Sequence, residues 1–91
     1  MLQFEWDNQK NALNQKRHGV SFEVAVLIFN DPNIVTFLDT RIDYGEDRWI
    51  SIGMAGQTVL IVVHTLREGY DGEEVIRIIS ARKATTSEER R

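Results

Sequence analysis

The chain has 91 residues, of which 42% are hydrophobic, so it can build one modest core, and we predict a single domain over residues 1–91. A net charge of −3 argues against a general nucleic-acid binder, although basic residues cluster near both ends and a local basic surface remains compatible with that total. Cysteine is absent, which excludes disulfides and cysteine nucleophiles, and with no signal-like or membrane-length apolar run we expect a cytoplasmic protein.

Two helices are predicted in the first third of the chain. Asp7 is placed to cap a polar helix over residues 8–18, and Gly19 follows where a left-handed glycine ends a helix. Only two residues of this helix are apolar, so most of its surface should be exposed. Ser21 is placed to cap a second helix, whose apolar residues recur at helical spacing as far as Phe29.

Four strands and a short terminal helix follow. The strand patterns cover residues 34–38, 48–54, 58–66 and 75–82, with the third apolar on both faces and therefore central. Thr85 or Thr86 then caps a short C-terminal helix, and Thr86 with Glu89 has capping-box spacing. The fold class that we predict is α+β: two N-terminal helices packed on a mostly antiparallel four-stranded sheet, with a short C-terminal helix.

The most informative stretch is the last predicted strand, residues 75–82, because it carries an arginine within an apolar run. The Arg77 guanidinium stays charged and is costly to bury unpaired, so it must meet a carboxylate, water or an anionic ligand. Arg82 and Lys83 add two cations where the run ends. This pattern predicts a site for an anion on a rigid element.

Four arginines lie at strand ends or within a strand, namely Arg48, Arg67, Arg77 and Arg82. Such a set suits phosphate, because one guanidinium can bind two oxygens at once. The alternative is that they form surface ion pairs with acids close in sequence, and such pairs contribute little energy. These acids are Glu46, Asp47, Glu68, Glu73 and Glu74. The spacing alone leaves both interpretations open.

Histidine is the side chain whose ordinary pKa suits acid and base roles near neutrality, and the chain has two. His64 follows an apolar run at a strand end, where side chains emerge into a cleft, so it is either an acid–base group or a histidine bonded to loop backbone. His18 is better explained as a residue at a helix C-terminus. Two distant histidines without cysteine argue against a metal site, and no glycine-rich phosphate loop is present, so no metal or cofactor is expected.

Seven motifs run in order through nearly the whole chain. They are Phe4-Glu5-Trp6-Asp7 with Lys10; Asn14 with Arg17-His18-Gly19-Val20-Ser21-Phe22; Asp31-Pro32; Gly45-Glu46-Asp47-Arg48; Ile52-Gly53; Val63-His64-Thr65 with Arg67; and Arg77-Ile78-Ile79-Ser80-Ala81-Arg82-Lys83-Ala84-Thr85. Each motif alone is weak, but together they resemble the BrnT family of toxins. Arg17 stands where that family often has lysine, which keeps the charge.

The resemblance implies a RelE-like fold and the toxin half of a type II toxin–antitoxin pair. The implied activity is metal-independent endoribonuclease cleavage that arrests translation and uses no cofactor. The implied partners are the RNA substrate and a cognate DNA-binding, BrnA-like antitoxin, whose dimer forms a heterotetramer with the toxin. The alternative is a catalytically weak or inactive toxin-like module that acts as a corepressor with the antitoxin, which the negative net charge and the scarcity of histidines favour.

Metal-free cleavage of RNA needs a base for the ribose 2′-hydroxyl, cations for the pentacovalent phosphorus and an acid for the leaving oxygen. The resemblance implies that Arg77 and Arg82 stabilise the charge on the phosphorus. It implies that Arg48 and Arg67 position the RNA backbone. The candidate base is His64 or, alternatively, Glu46. Secondary RNA contacts are expected from other cations: Lys10, His18 and Lys83.

Overall fold

The computed structural model describes residues 2–41 and 43–89. Its elements, in chain order, are β1 (Leu2–Glu5), α1 (Asn8–His18), α2 (Phe22–Ala25), a 3-10 helix (Val26–Asn30), β2 (Val35–Leu38), β3 (Trp49–Ala55), β4 (Thr58–Glu68), β5 (Glu74–Lys83) and α3 (Thr86–Glu89). Across these residues, no helix has the length and apolar character needed to cross a membrane.

One sheet organises the fold. Its strands lie in the order β1-β5-β4-β3-β2, with β1 parallel to β5 and the other neighbours antiparallel. We call one side the helix face, because its residues form the main core with the helices; the members include Leu60, Val62, Ile76, Ile78 and Ala81, packed with Val20, Phe22, Ala25 and Ile28. The other side, the arginine face, carries Arg67, Arg77 and Arg82.

The structure is α+β, but the predicted arrangement of two N-terminal helices on a mostly antiparallel four-stranded sheet is wrong. The chain begins with β1, which adds a fifth strand and makes the sheet mixed. β1 has 4 residues that alternate apolar and polar, too few for the pattern to stand out. Its partner, β5, comes near the other end of the chain, and a parallel pair needs a long crossover that local sequence does not reveal.

The predicted second helix is also shorter than expected. The α-helix α2 ends at Ala25, and the chain continues as a 3-10 helix to Asn30. This segment packs on β3 at Gly53, where an added Cβ would lie 3.1 Å from Ile28 Cβ. The close approach of the 3-10 helix to β3 therefore depends on a residue without a side chain.

Three predicted helix boundaries are confirmed. Asp7 accepts hydrogen bonds from two backbone N–H groups in the first turn of α1, at 2.8 and 3.1 Å. Gly19 ends that helix with φ at 70°. Ser21 Oγ accepts a hydrogen bond from the Val24 N–H at 3.1 Å. These ends depend on contacts within a few residues, which is why the sequence predicts them.

The buried face of α1 is made of asparagines, not of its two apolar residues. Asn14 Nδ2 donates to the carbonyl oxygen of Ala81 at 2.7 Å, and Asn14 Oδ1 accepts from the Ala81 N–H at 3.1 Å. Asn11 Oδ1 accepts from the Phe22 N–H at 2.8 Å. The side chain of Asn14 therefore completes the hydrogen bonding of β5 beyond the point where β1 ends, and it anchors α1 to the sheet.

A β-bulge decides which side chains of β5 share a face. The ladder between β4 and β5 shifts by one residue, so Ile79 is an extra residue in β5. Arg77 and Arg82 are an odd number of positions apart, which in a regular strand would put them on opposite faces. With the extra residue, Arg77 pairs with Thr65 and Arg82 pairs with Ile61, two positions on the same face of β4.

Candidate functional site

The arginine face carries two groups of ion pairs, one near each end of β5. The first, which we call the Glu5 cluster, joins Glu5 of β1 to Arg67 of β4 and Arg77 of β5. The second, the Glu88 pair, joins Arg82 near the end of β5 to Glu88 of α3. In both groups the guanidiniums belong to residues of rigid strands, as the sequence predicts for the two arginines of β5.

In the Glu5 cluster, one carboxylate accepts from two guanidiniums. Arg67 Nη2 donates to Glu5 Oε1 at 2.8 Å, and Arg77 Nη1 donates to Glu5 Oε2 at a longer 3.3 Å. The three side chains are between 36% and 54% exposed, so a solute can reach them. Two positive charges against one negative charge leave the cluster with one unit of excess positive charge.

The sheet register brings these three side chains together. In the parallel ladder Glu5 lies beside Arg77, and in the antiparallel ladder Arg77 lies opposite Thr65. Arg67 is two residues further along β4 and therefore projects from the same face. The hydrogen bond from Arg67 lowers the pKa of Glu5, burial opposes this, and Arg77 lowers that pKa further. Glu5 is consequently ionised at neutral pH.

In the Glu88 pair, by comparison, both carboxylate oxygens are engaged in short hydrogen bonds. Arg82 donates through Nη1 to Glu88 Oε1 at 2.9 Å and through Nη2 to Oε2 at 2.7 Å, which is a bidentate pair. The Thr85 N–H donates to Glu88 Oε1 at 2.7 Å, and the Glu88 N–H donates to Thr85 Oγ1 at 3.3 Å. Thr85 is thus the capping residue of α3. Bound in this way, mainly by Arg82, Glu88 has its pKa lowered to about 2.

A groove of about 420 Å³ borders the Glu88 pair on the arginine face. Its floor is apolar and its rim is charged; the lining residues are Phe37, Ile50, Ile52, Ile61 and Val63 with Arg41, Arg82 and Glu88. Arg41 is itself held by Asp39 through two hydrogen bonds of 2.9 Å each, and the pKa of Asp39 falls to about 2, chiefly because of Arg41. Arg77 does not line this groove.

In the segment before β3, Arg48 and Glu46 pair with each other, and among the described residues neither forms an ion pair with a member of the two groups. Arg48 Nε donates to Glu46 Oε2 at 3.4 Å, and its guanidinium carbon lies 3.9 Å from the centre of the Tyr44 ring. The sequence also allowed ion pairs between the four arginines and acids close to them in sequence. Among the described residues, Arg48 with Glu46 is the one such pair that forms. Arg67, Arg77 and Arg82 instead pair with acids far away in sequence or in α3.

The structure buries His64 and does not place it in a cleft with the arginines. Its side chain is 1% exposed on the helix face, against the ring of Phe29 with 5.2 Å between ring centres. His64 Nδ1 donates to the Thr65 carbonyl oxygen at 3.2 Å, so Nε2 accepts from the Ser51 hydroxyl at 2.7 Å. Burial lowers the pKa of this histidine. The predicted position at a cleft is therefore wrong.

The secondary cations also lie away from the arginine face. Lys10 and His18 are exposed on α1, which is bound to the sheet through Asn14. Lys83 is exposed and pairs with Leu60, a residue of the helix face. Among residues 2–41 and 43–89, no group of three or more potential metal ligands occurs.

Sequence reasoning missed the two carboxylates that hold the arginines. Glu5 contacts residues more than sixty positions away, and only the pairing of β1 with β5 reveals that contact. Glu88 did have a local signal, because Thr85 is one of the two predicted caps, and Thr85 with Glu88 has the same capping-box spacing as Thr86 with Glu89.

Comparison with known families matches most of this chain to a family model. The family model described as "Ribonuclease toxin, BrnT, of type II toxin-antitoxin system" matches residues 6–88. The matched stretch includes Arg67, Arg77, Arg82 and Glu88, and it begins directly after Glu5. A search of the curated proteins finds no match.

Proposed function

The chain belongs to the BrnT family, the ribonuclease toxins of type II toxin–antitoxin systems, and we propose that it cleaves RNA internally without a metal ion and thereby arrests translation. Family membership implies ribonuclease activity, an RNA target and an antitoxin partner. The observation that supports the finer proposal is the Glu5 cluster, an exposed group of fixed guanidiniums with excess positive charge.

Arg67 and Arg77 suit the stabilisation of a phosphorane. A guanidinium has five N–H donors, and Glu5 takes one from each of these two arginines. The remaining donors can bind the phosphate oxygens, whose negative charge grows in the transition state. Two guanidiniums held on neighbouring strands supply the charge stabilisation that a metal ion supplies in other nucleases.

Arg82 has a different proposed role, because it lies roughly 13 Å from Arg77 along the sheet, counted as four strand residues between their partners Ile61 and Thr65. It is also bound at two points by Glu88. We assign Arg82 to a neighbouring phosphate of the same RNA strand. Arg48, at the start of β3, is assigned to the same task of positioning.

Cleavage of free RNA in the presence of EDTA tests the proposal. The purified chain should cut a 5′-labelled RNA and leave 2′,3′-cyclic phosphate ends. A DNA strand of the same sequence, which lacks the 2′-hydroxyl groups, should stay intact. RNA that is cut only after Mg²⁺ is added would overturn metal independence. RNA that stays intact with and without Mg²⁺, and also in cells that express the chain, would overturn the nuclease proposal.

Translation arrest is tested separately in cells that express the chain from an inducible promoter. Incorporation of labelled amino acids should stop within minutes, and primer extension should show new 5′ ends in messenger RNA. Arg77→Ala should abolish both effects. Continued incorporation on induction of the parent chain would contradict this part of the proposal.

The antitoxin is proposed to be a DNA-binding, BrnA-like protein whose dimer carries two copies of this chain. Family membership supports an antitoxin partner, and the dimeric arrangement is our extension of it. Light scattering on the co-purified complex should give the mass of two copies of each protein. A mass that corresponds to one copy of each would contradict the heterotetramer.

A second candidate function is a corepressor with little or no nuclease activity. The observation that favours it is that Arg48, Arg67, Arg77 and Arg82 are all paired with carboxylates in the described structure. This function predicts that adding the chain tightens binding of the antitoxin to its operator DNA, while RNA remains intact under every condition above.

A further inference from the structure

We propose that Glu5 is the general base of RNA cleavage and that its Oε2 atom takes the proton of the ribose 2′-hydroxyl. This inference rests on the proposed nuclease function and deepens it. It names a base on the arginine face, next to the guanidiniums that bind the phosphate, at a position outside the stretch that the family model matches.

The other acid–base candidates are badly placed. His64 is 1% exposed and lies on the opposite face of the sheet, where Phe29 covers its ring. Glu88 uses both carboxylate oxygens for a bidentate pair with Arg82, and one of these oxygens also caps α3. Glu46 pairs with Arg48, and among the described residues it forms no ion pair with Arg67 or Arg77.

Glu5 itself has an oxygen with spare capacity. Its Oε1 is held by Arg67 at 2.8 Å, but its Oε2 accepts only the long bond of 3.3 Å from Arg77 among the described residues. A carboxylate oxygen has two lone pairs, so Oε2 can accept the hydrogen bond of a hydroxyl without losing Arg77. The short bond to Arg67 meanwhile fixes the orientation of the carboxylate.

The arrangement matches the geometry of the reaction. In RNA the 2′-hydroxyl lies on the carbon next to the one that bears the reacting phosphate, so base and phosphate-binding cations must be neighbours. Arg67 and Arg77 both contact Glu5, so a phosphate bound to their remaining donors would lie next to the Glu5 carboxylate. One shared carboxylate thus places the base and the cations together.

The proposed step conserves atoms and charge. The 2′-oxygen gives its proton to Glu5 Oε2 and forms a bond to phosphorus, while the bond from phosphorus to the 5′-oxygen breaks. The 5′-oxygen takes a proton from a water molecule, and the hydroxide so formed removes the proton from Glu5. The products are a 2′,3′-cyclic phosphate and a 5′-hydroxyl, and Glu5 returns to its ionised form.

Glu5→Gln separates a base from a structural or electrostatic partner. The glutamine keeps an acceptor for Arg67 but cannot take a proton, so kcat should fall about 100-fold or more while KM stays unchanged or decreases. Binding of an RNA with 2′-methoxy groups, which cannot be cut, should not weaken, since removal of a negative charge leaves the arginines more attractive to phosphate. If Glu5 only paired with the arginines and took no proton, the cleavage rate of Glu5→Gln would instead equal or exceed that of the parent.

The pH dependence gives an independent readout. The charged groups that act on Glu5 are Arg67 of β4 and Arg77 of β5, and with burial opposing them they lower its pKa below its ordinary value. The rate of the parent should therefore fall only as the pH decreases below about 4.5, provided that circular dichroism shows a folded chain. Glu5→Asp, which keeps a carboxylate, should retain this acid limb at a lower rate.

Glu23→Gln is the matched control. Glu23 is also a hydrogen-bonded carboxylate whose pKa is lowered, by Asn11, but it lies with the helices on the other side of the sheet. Its cleavage rate and acid limb should equal those of the parent. If the parent cuts RNA and the rate of Glu5→Gln lies within threefold of the parent's rate, the role of Glu5 is overturned but the nuclease function is not. If the parent cuts no RNA, the nuclease function itself is overturned.

Discussion

The two ends of the arginine face use the same kind of ion pair but in different proportions. At the Glu5 cluster one carboxylate is shared by two guanidiniums, whereas in the Glu88 pair one carboxylate binds one guanidinium at two points. The first arrangement keeps excess positive charge and spare donors, and the second is neutral and satisfied. Pairing with a carboxylate therefore does not by itself remove an arginine from function, because the ratio of charges decides.

The two ends also differ in how the edge of β5 is held. Strand β1 covers the edge from Glu74 to Arg77, beside the Glu5 cluster. Further along, next to Arg82, one side chain supplies the hydrogen bonds, that of Asn14 to Ala81. The Arg77 end is thus supported by a strand, and the Arg82 end by a helix side chain and by α3.

The largest expected difference between the two ends is catalytic. Arg77→Ala should lower kcat/KM for RNA cleavage by about 10²–10³-fold, because it removes a donor to the developing charge. Arg82→Ala should lower it by about fivefold or less, as expected when a mostly satisfied surface cation is removed. Initial rates on the same labelled RNA measure both, and equal losses in the two variants would contradict the contrast.

The second expected effect is on stability at the Arg82 end. Asn14→Ala leaves the buried N–H and carbonyl of Ala81 without their partner, so the free energy of unfolding should decrease by about 3 kcal/mol. Urea denaturation gives this value, and hydrogen exchange should show faster exchange at Ala81 than at Arg77. Leu13→Ala is the control, since this neighbouring residue of α1 is half exposed. A loss below about 1 kcal/mol for Asn14→Ala would mean that β5 does not need this anchor.

A smaller effect should follow from release of Arg82. Glu88→Gln keeps a residue that can cap α3 but removes the charge that holds the guanidinium. Affinity for uncleavable RNA should rise about threefold, and the salt dependence of binding should steepen by about one phosphate contact. Glu89→Gln changes the net charge equally in the same helix, so it should leave the salt dependence near that of the parent. Identical slopes for the two variants would show that Arg82 is not withheld by Glu88.

The smallest expected effect concerns His64, on the face opposite both groups. Burial lowers the pKa of His64 in the folded chain, so below about pH 6.5 the unfolded chain binds this proton more readily. The free energy of unfolding should therefore be greatest above that pH and decrease as the pH falls from 7.5 to 5.5. His64→Gln should lose this pH dependence and His18→Gln should keep it, as measured by urea denaturation. Because Glu5 titrates at lower pH, the two effects are separable.

Much of the local structure was accessible from the sequence. The caps at Asp7 and Ser21, the glycine that ends α1, and the existence of β2 to β5 depend on nearby residues, so composition and periodicity predict them. The candidate site was accessible in part. An arginine within an apolar strand already pointed to Arg77, whereas Glu5 stood out only as a member of a family motif, and nothing near it in sequence indicated its contact with Arg77.

By itself, the sequence determined that this chain carries guanidiniums on a stiff apolar strand and that these must meet anions or water, because their charge cannot be removed. Tertiary structure alone decided which anions and which face. The bulge at Ile79 brings Arg77 and Arg82 to one side, the parallel pairing of β1 with β5 brings Glu5 to Arg77, and the packing of the helices buries His64. Each of these depends on register between distant segments, and a shift of one residue moves a side chain to the other face of the sheet.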